Sequence, residues 1–106
     1  MNPPNITESR TIRLFTQEWG DNFQVRFEKY KEESLELIEA IEAYNLNPSV
    51  ERLEHLKYEF CDVQATFTHL ASLMGLYQFE MLDTAVDKVK KRKTDPNYKR
   101  FYVGEV

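Results

Sequence analysis

A single Asn47-Pro48 break separates two long stretches whose apolar residues recur at helical spacing. Each stretch carries an acidic pair, Glu33-x-x-Glu36 before the break and Glu59-x-x-Asp62 after it. Proline at the first position of a helix gives up only an N–H that would have had no partner. Asn47 as N-cap and Pro48 as first helical residue therefore mark where the chain turns and restarts. A turn this short places the two helices side by side and antiparallel. The first pair lies about 12 residues before the turn and the second about 14 after it, a mismatch of roughly 3 Å at about 1.5 Å per residue. Four carboxylates are therefore expected at one level of a helical hairpin.

The angular positions agree. In the first long helix, Phe23, Phe27, Tyr30, Leu37 and Ile41 form one stripe. At about 100° per residue, Glu33 falls roughly 90° to one side of that stripe and Glu36 roughly 150° to the same side. In the second, the stripe is Leu53, Leu56, Phe60, Val63, Phe67, Leu70 and Met74, with Glu59 and Asp62 at matching offsets. The Lys29/Glu33 and Lys31/Leu35 rows read as a charged outer face.

The rest of the chain extends the helical pattern. Thr7 or Ser9 is expected to cap a first helix containing Ile12, Leu14, Phe15 and Trp19, which Gly20-Asp21-Asn22 ends. The second helix is expected over about 23 to 44, the third up to about Met74 with Gly75 closing it, and a fourth from about Gln78 to Lys91 or Lys93. Thr94-Asp95-Pro96-Asn97 stops that helix, leaving Tyr98 to Val106 as a tail. Alternating apolar patterns are absent, and Gly20 and Gly75 fall at helix boundaries. The expectation is a single all-α domain over 1–106, four-helix bundle-like, with its core at about 7–93.

At 42% hydrophobic and 30% charged residues, the chain has the make-up of a folded domain and not of a disordered segment. No apolar run reaches the roughly 18 residues of a membrane span, and the polar start Met1-Asn2-Pro3-Pro4 does not read as a signal peptide. The lone Cys61 has no internal disulfide partner, which suits a reducing cytoplasm; between the acids of the second pair, it reads as a small residue that lets helices approach. Residues 88–100 hold Lys88, Lys90, Lys91, Arg92, Lys93, Lys99 and Arg100 against Asp95, a net +6 in a chain of formal charge −4. Such a split suits a protein that holds cations in one place and phosphates in another.

Acidic side chains on helices usually face solvent or pair with lysine. Two pairs level across one hairpin are different, because crowded like charges cost stability unless a cation neutralises them. Glu33, Glu36, Glu59 and Asp62 offer only oxygen donors, which suits Mg²⁺ or Mn²⁺. His55 and His69 are far apart on the side of the third helix away from its stripe, and read as surface residues. No Glu-x-x-His pair exists for a di-iron bundle. No nucleophile motif, glycine-rich phosphate loop or Cys-x-x-Cys is present.

Tyr30-Lys31-Glu32-Glu33-Ser34-Leu35-Glu36-Leu37, followed by Glu59-Phe60-Cys61-Asp62, resembles the Glu-x-x-Glu and Glu-x-x-Asp signature of the MazG-like all-α nucleoside-triphosphate pyrophosphohydrolases. The interval between the motifs fits that family, and the resemblance covers roughly residues 23 to 93. It implies hydrolysis of a nucleoside triphosphate to the monophosphate and pyrophosphate. Glu33, Glu36, Glu59 and Asp62 would hold Mg²⁺ and Glu33 or Glu36 would take a proton from water.

Substrate contacts are expected from Lys88 and Arg92 near the triphosphate and from Trp19 against the base. The family tends to carry Lys followed four residues later by Asn; this chain has Lys88 and then Arg92, and Lys93, Asn97 and Arg100 offer another register. The solvated end of a basic helix gives the same pattern. Relatives of that family form dimers or tetramers, so a homo-oligomer is expected. The main alternative is a non-catalytic helical interaction module of the same fold. Nucleic-acid binding through Lys88 to Arg100 is opposed by the net acidity.

Overall fold

Each helix begins at a side chain that accepts a backbone N–H, with one exception, and the linkers between helices are short. The computed structural model describes residues 5–97. It contains α1 (Ile6–Trp19), α2 (Phe23–Leu46), α3 (Val50–Ser72) and α4 (Gln78–Arg92), with no strand among the described residues. Met1–Pro4 and Tyr98–Val106, including Lys99 and Arg100, lie outside the described residues.

Asn5, rather than Thr7 or Ser9, caps α1, its Oδ1 accepting the Glu8 N–H at 2.8 Å. Gly20 closes that helix at φ +79°, and Asn22 caps α2 by accepting from the Val25 N–H. At the central turn the cap falls two residues later than the sequence suggests. The Asn47 N–H donates to Ala43 O, so Asn47 closes α2. Ser49 caps α3, its Oγ accepting from the Arg52 N–H at 3.1 Å. Pro48 thus lies in the linker, where it holds Asn47 out of the helical region. Arg52 ties the turn shut, donating from Nη1 to Ala43 O at 2.7 Å and to Asn47 O at 3.3 Å. At the far end of α3, Gly75 at φ +74° lets the Leu76 N–H reach Ala71 O and the Gly75 N–H reach Ser72 O. This double closure needs the left-handed conformation that glycine adopts without strain. α4 is the exception: Tyr77 supplies no capping side chain, and the Gln78 N–H donates to the Glu8 carboxylate of α1 instead.

Contacts across α2 and α3 establish the antiparallel register. Arg52 meets Ala43 beside the turn, Asp62 and Glu59 approach Glu33 further along, and the Phe67 and Tyr30 rings lie 6.1 Å apart beyond them. The α2–α3 hairpin provides most of the helix packing, α1 docks on α3, and α4 touches the other helices only marginally. The radius of gyration, 16.8 Å, exceeds the roughly 13 Å of a compact chain of about 100 residues. Correspondingly, Leu53, Phe60 and Met74 of the α3 stripe stay half-exposed, as do Leu82, Val86 and Val89 on α4.

Two residues differ from expectation. His69 is not on the surface but 1% exposed, its Nε2 3.2 Å from Thr16 Oγ1 and its ring edge-on to Phe15 at 5.8 Å. A single stripe cannot reveal this, because α3 buries one face against α2 and another against α1. Cys61 is exposed and lines a hollow with Glu8, Gln64 and Gln78, so it is not a spacer between packed helices here.

Candidate functional site

The hairpin register brings Glu33 of α2 to Glu59 and Asp62 of α3, with one carboxylate oxygen from each lying within 4.8 Å of the other two. Glu33 is buried, Glu59 half-buried and Asp62 exposed, so the cluster opens outward on the Asp62 side. Glu33 Oε2 and Glu59 Oε2 are buried with no hydrogen-bond partner among the described residues. A buried carboxylate oxygen without a donor is costly, and two facing a third carboxylate are more so. The other oxygens have nitrogen neighbours. Lys29 Nζ sits 3.1 Å from Glu33 Oε1, and His55 Nε2 lies 3.8 Å from Glu59 Oε1. His55 is exposed at the surface, as the sequence suggests.

Glu36 stands beside the trio rather than in it. One helical turn after Glu33, it lines a separate hollow with Glu39, Ala43, His55 and Glu59. The charge of Glu33 raises its carboxyl pKa above the ordinary value, helped by desolvation and the charge of Glu59. All four acids therefore interact, while three share one point.

On the other side of the trio is a cavity of about 410 Å³ lined by Phe15, Trp19, Arg26, Lys29, Glu33, Asp62 and Thr66. Trp19 is 59% exposed, which leaves indole surface for a ligand. The Arg26 guanidinium carbon lies 5.9 Å from the Trp19 ring centroid. Lys29 has a raised pKa, chiefly because it hydrogen-bonds Glu33, with the charges of Glu33, Glu32 and Glu36 adding to the effect. Of the Lys29/Glu33 row, Glu33 is buried against α3, while Lys29 stays 42% exposed at the rim of the cavity. Lys88 and Arg92 lie on the exposed α4, and neither lines this cavity.

Arg26 and Lys29 are the site residues that the sequence reading missed. They share one α2 face with Glu33, at i, i+3 and i+7, so following the acidic face back toward Trp19 would have found them.

Three oxygen donors with two orphaned buried atoms match the needs of a hard divalent cation. At about 2.1 Å per Mg–O contact in an octahedron, adjacent oxygens sit about 3.0 Å apart and opposite ones about 4.2 Å, so the trio would draw together on binding. His69 faces α1 and Cys61 lines a different hollow, so neither joins the cluster, and His55 beside Glu59 is the nitrogen donor near it. Comparison with models of protein families, with curated proteins and with solved structures finds no match for this chain.

Proposed function

We propose that this chain is a MazG-like, Mg²⁺-dependent nucleoside-triphosphate pyrophosphohydrolase, converting a ribo- or deoxyribonucleoside triphosphate to its monophosphate and pyrophosphate. The observation that carries this reading is the pair of buried, unpartnered oxygens of Glu33 and Glu59 facing Asp62 beside an aromatic-walled cavity. Glu33, Glu59 and Asp62, with Glu36 alongside, hold the cation. When bound, a divalent cation offsets phosphate charge and acidifies water. Glu33 already gives one oxygen to Lys29, which leaves Glu36 better placed to accept the proton of the water attacking the α-phosphorus. Trp19 offers a partly open ring for the base, and Phe15 continues that wall.

The test is a panel of canonical and modified nucleoside triphosphates assayed for pyrophosphate release. Activity should require Mg²⁺ or Mn²⁺ and be lost in Glu36→Gln and Asp62→Asn, with helix content unchanged by circular dichroism. Wild-type protein that cleaves no nucleotide in the panel would overturn the reading.

A non-catalytic interaction module is the second reading, favoured by the half-exposed Leu82, Val86 and Val89 on α4. Under either reading, apolar surface of this extent favours a homodimer or homotetramer. Sedimentation at micromolar protein should give at least twice the 12.6 kDa chain mass. Among the described residues no helix is long and apolar enough to cross a membrane.

A further inference from the structure

One wall of the cavity beside the acidic trio is cationic. Arg26 and Lys29 stand one turn apart on α2, and both line the space that Glu33, further along the same face, and Asp62 of α3 also border. Arg26 Nε is buried with no acceptor among the described residues, although the guanidinium lies against Trp19. A guanidinium presents a planar fork that matches phosphate oxygens, and a buried N–H of that fork without an acceptor points to an absent anion. Lys29 rests on Glu33 Oε1 at 3.1 Å and on the exposed Glu32 at 3.6 Å. Its ammonium therefore holds the carboxylate that a divalent cation would also claim. A cation entering the trio competes with Lys29 for Glu33, and the released ammonium faces the same cavity as Arg26.

We propose that Arg26 and Lys29 form the polyphosphate-binding half of this site, and that Lys29 is a resident counter-ion which leaves Glu33 for phosphate when a divalent cation binds. The inference deepens the hydrolase reading and rests on it for the identity of the metal site. It assigns phosphate contact to α2 instead of to Lys88 and Arg92 on α4. Divalent cation and polyphosphate then bind cooperatively, because each favours the position of Lys29 that the other needs.

Inorganic tripolyphosphate and Mg²⁺ are the probes, titrated separately and together by calorimetry, with fluorescence of Trp19, the only tryptophan, as a second signal. Lys29→Met keeps helix propensity and removes the charge. It should bind Mg²⁺ alone several-fold more tightly, while its affinity for tripolyphosphate with Mg²⁺ present falls about tenfold, as expected for one lost charge-assisted contact. Arg26→Met should weaken tripolyphosphate by a similar factor and leave Mg²⁺ affinity unchanged. The opposite signs in Lys29→Met are the signature, since a merely structural lysine would weaken both. Unchanged tripolyphosphate affinity in both variants, or weaker Mg²⁺ binding in Lys29→Met, would overturn the proposal. If these binding shifts occur but no nucleotide is cleaved, the hydrolase reading alone falls. If wild-type protein binds no Mg²⁺, the lysine exchange falls with it.

Discussion

The two halves of α3 bury polar groups in opposite ways. Its N-terminal half turns Glu59 and Asp62 toward Glu33 of α2, and buried oxygens of Glu33 and Glu59 have no partner among the described residues. Its C-terminal half turns Thr68 and His69 toward α4 and α1, where Thr68 Oγ1 donates to Gln78 Oε1 at 2.9 Å and His69 Nε2 meets Thr16 Oγ1. Polar groups in the second region join helices; those in the first repel one another across a helix interface. His69 Nδ1 and Glu8 Oε1 in the second region are also buried without a partner among the described residues, so the first region is set apart by its unpartnered atoms belonging to carboxylates that face one another.

The largest effect that separates these halves is on activity. Asp62→Asn should lower pyrophosphate release by about 100-fold or more, on the scale of a lost transition-state contact. Thermal unfolding without metal should change little or shift upward, because the substitution removes a like charge. A large fall in stability instead would make Asp62 part of the structural half.

His69→Ala should do the reverse, costing about 2 kcal/mol by denaturant unfolding through lost packing against Phe15 and a broken contact to Thr16. Helix packing around the trio should persist, because α2 and α3 form the larger contact.

Acid gives the next effect in size. Burial lowers the pKa of His69, and Arg26 nearby lowers it further, while Asp21 partly opposes them. The folded state therefore binds the proton less readily than the unfolded chain. Stability should be full above about pH 6.5 and fall as pH drops toward the lower folded value, by at most about 1.4 kcal/mol per pH unit from this residue. Urea unfolding of wild type and His69→Gln across that range measures it; identical pH dependence in the two would remove His69 as the cause.

Much of this contrast is legible in the sequence on one side and hidden on the other. The nearly equal spacing of the acidic pairs from the turn locates Glu33, Glu59 and Asp62, because an antiparallel hairpin converts distance from the turn directly into height. Glu36 is harder to place. A fixed angle of about 100° per residue puts it on the right side of α2 but does not say whether its carboxylate reaches past Glu33. The docking of α1 sets the fate of His69 and walls the cavity that Arg26 and Lys29 line, and a contact between helices distant in sequence leaves no local periodic mark. The shift of the α3 cap from Asn47 to Ser49 has a similar origin, since Asn47 is already used to end α2. The exposed course of α4 also escapes a pattern reading, which finds the apolar stripe of Met81, Leu82, Ala85, Val86 and Val89 but not what covers it.

Mn²⁺ binding followed by electron paramagnetic resonance puts the acidic trio to its most direct trial. Wild-type protein should take up Mn²⁺ at millimolar or lower concentration, Mg²⁺ should compete for it, and the combined Glu33→Gln, Glu59→Gln and Asp62→Asn variant should take up none while keeping its helix content. Equal Mn²⁺ uptake by the folded variant, or none by wild type, would contradict a cation site between α2 and α3.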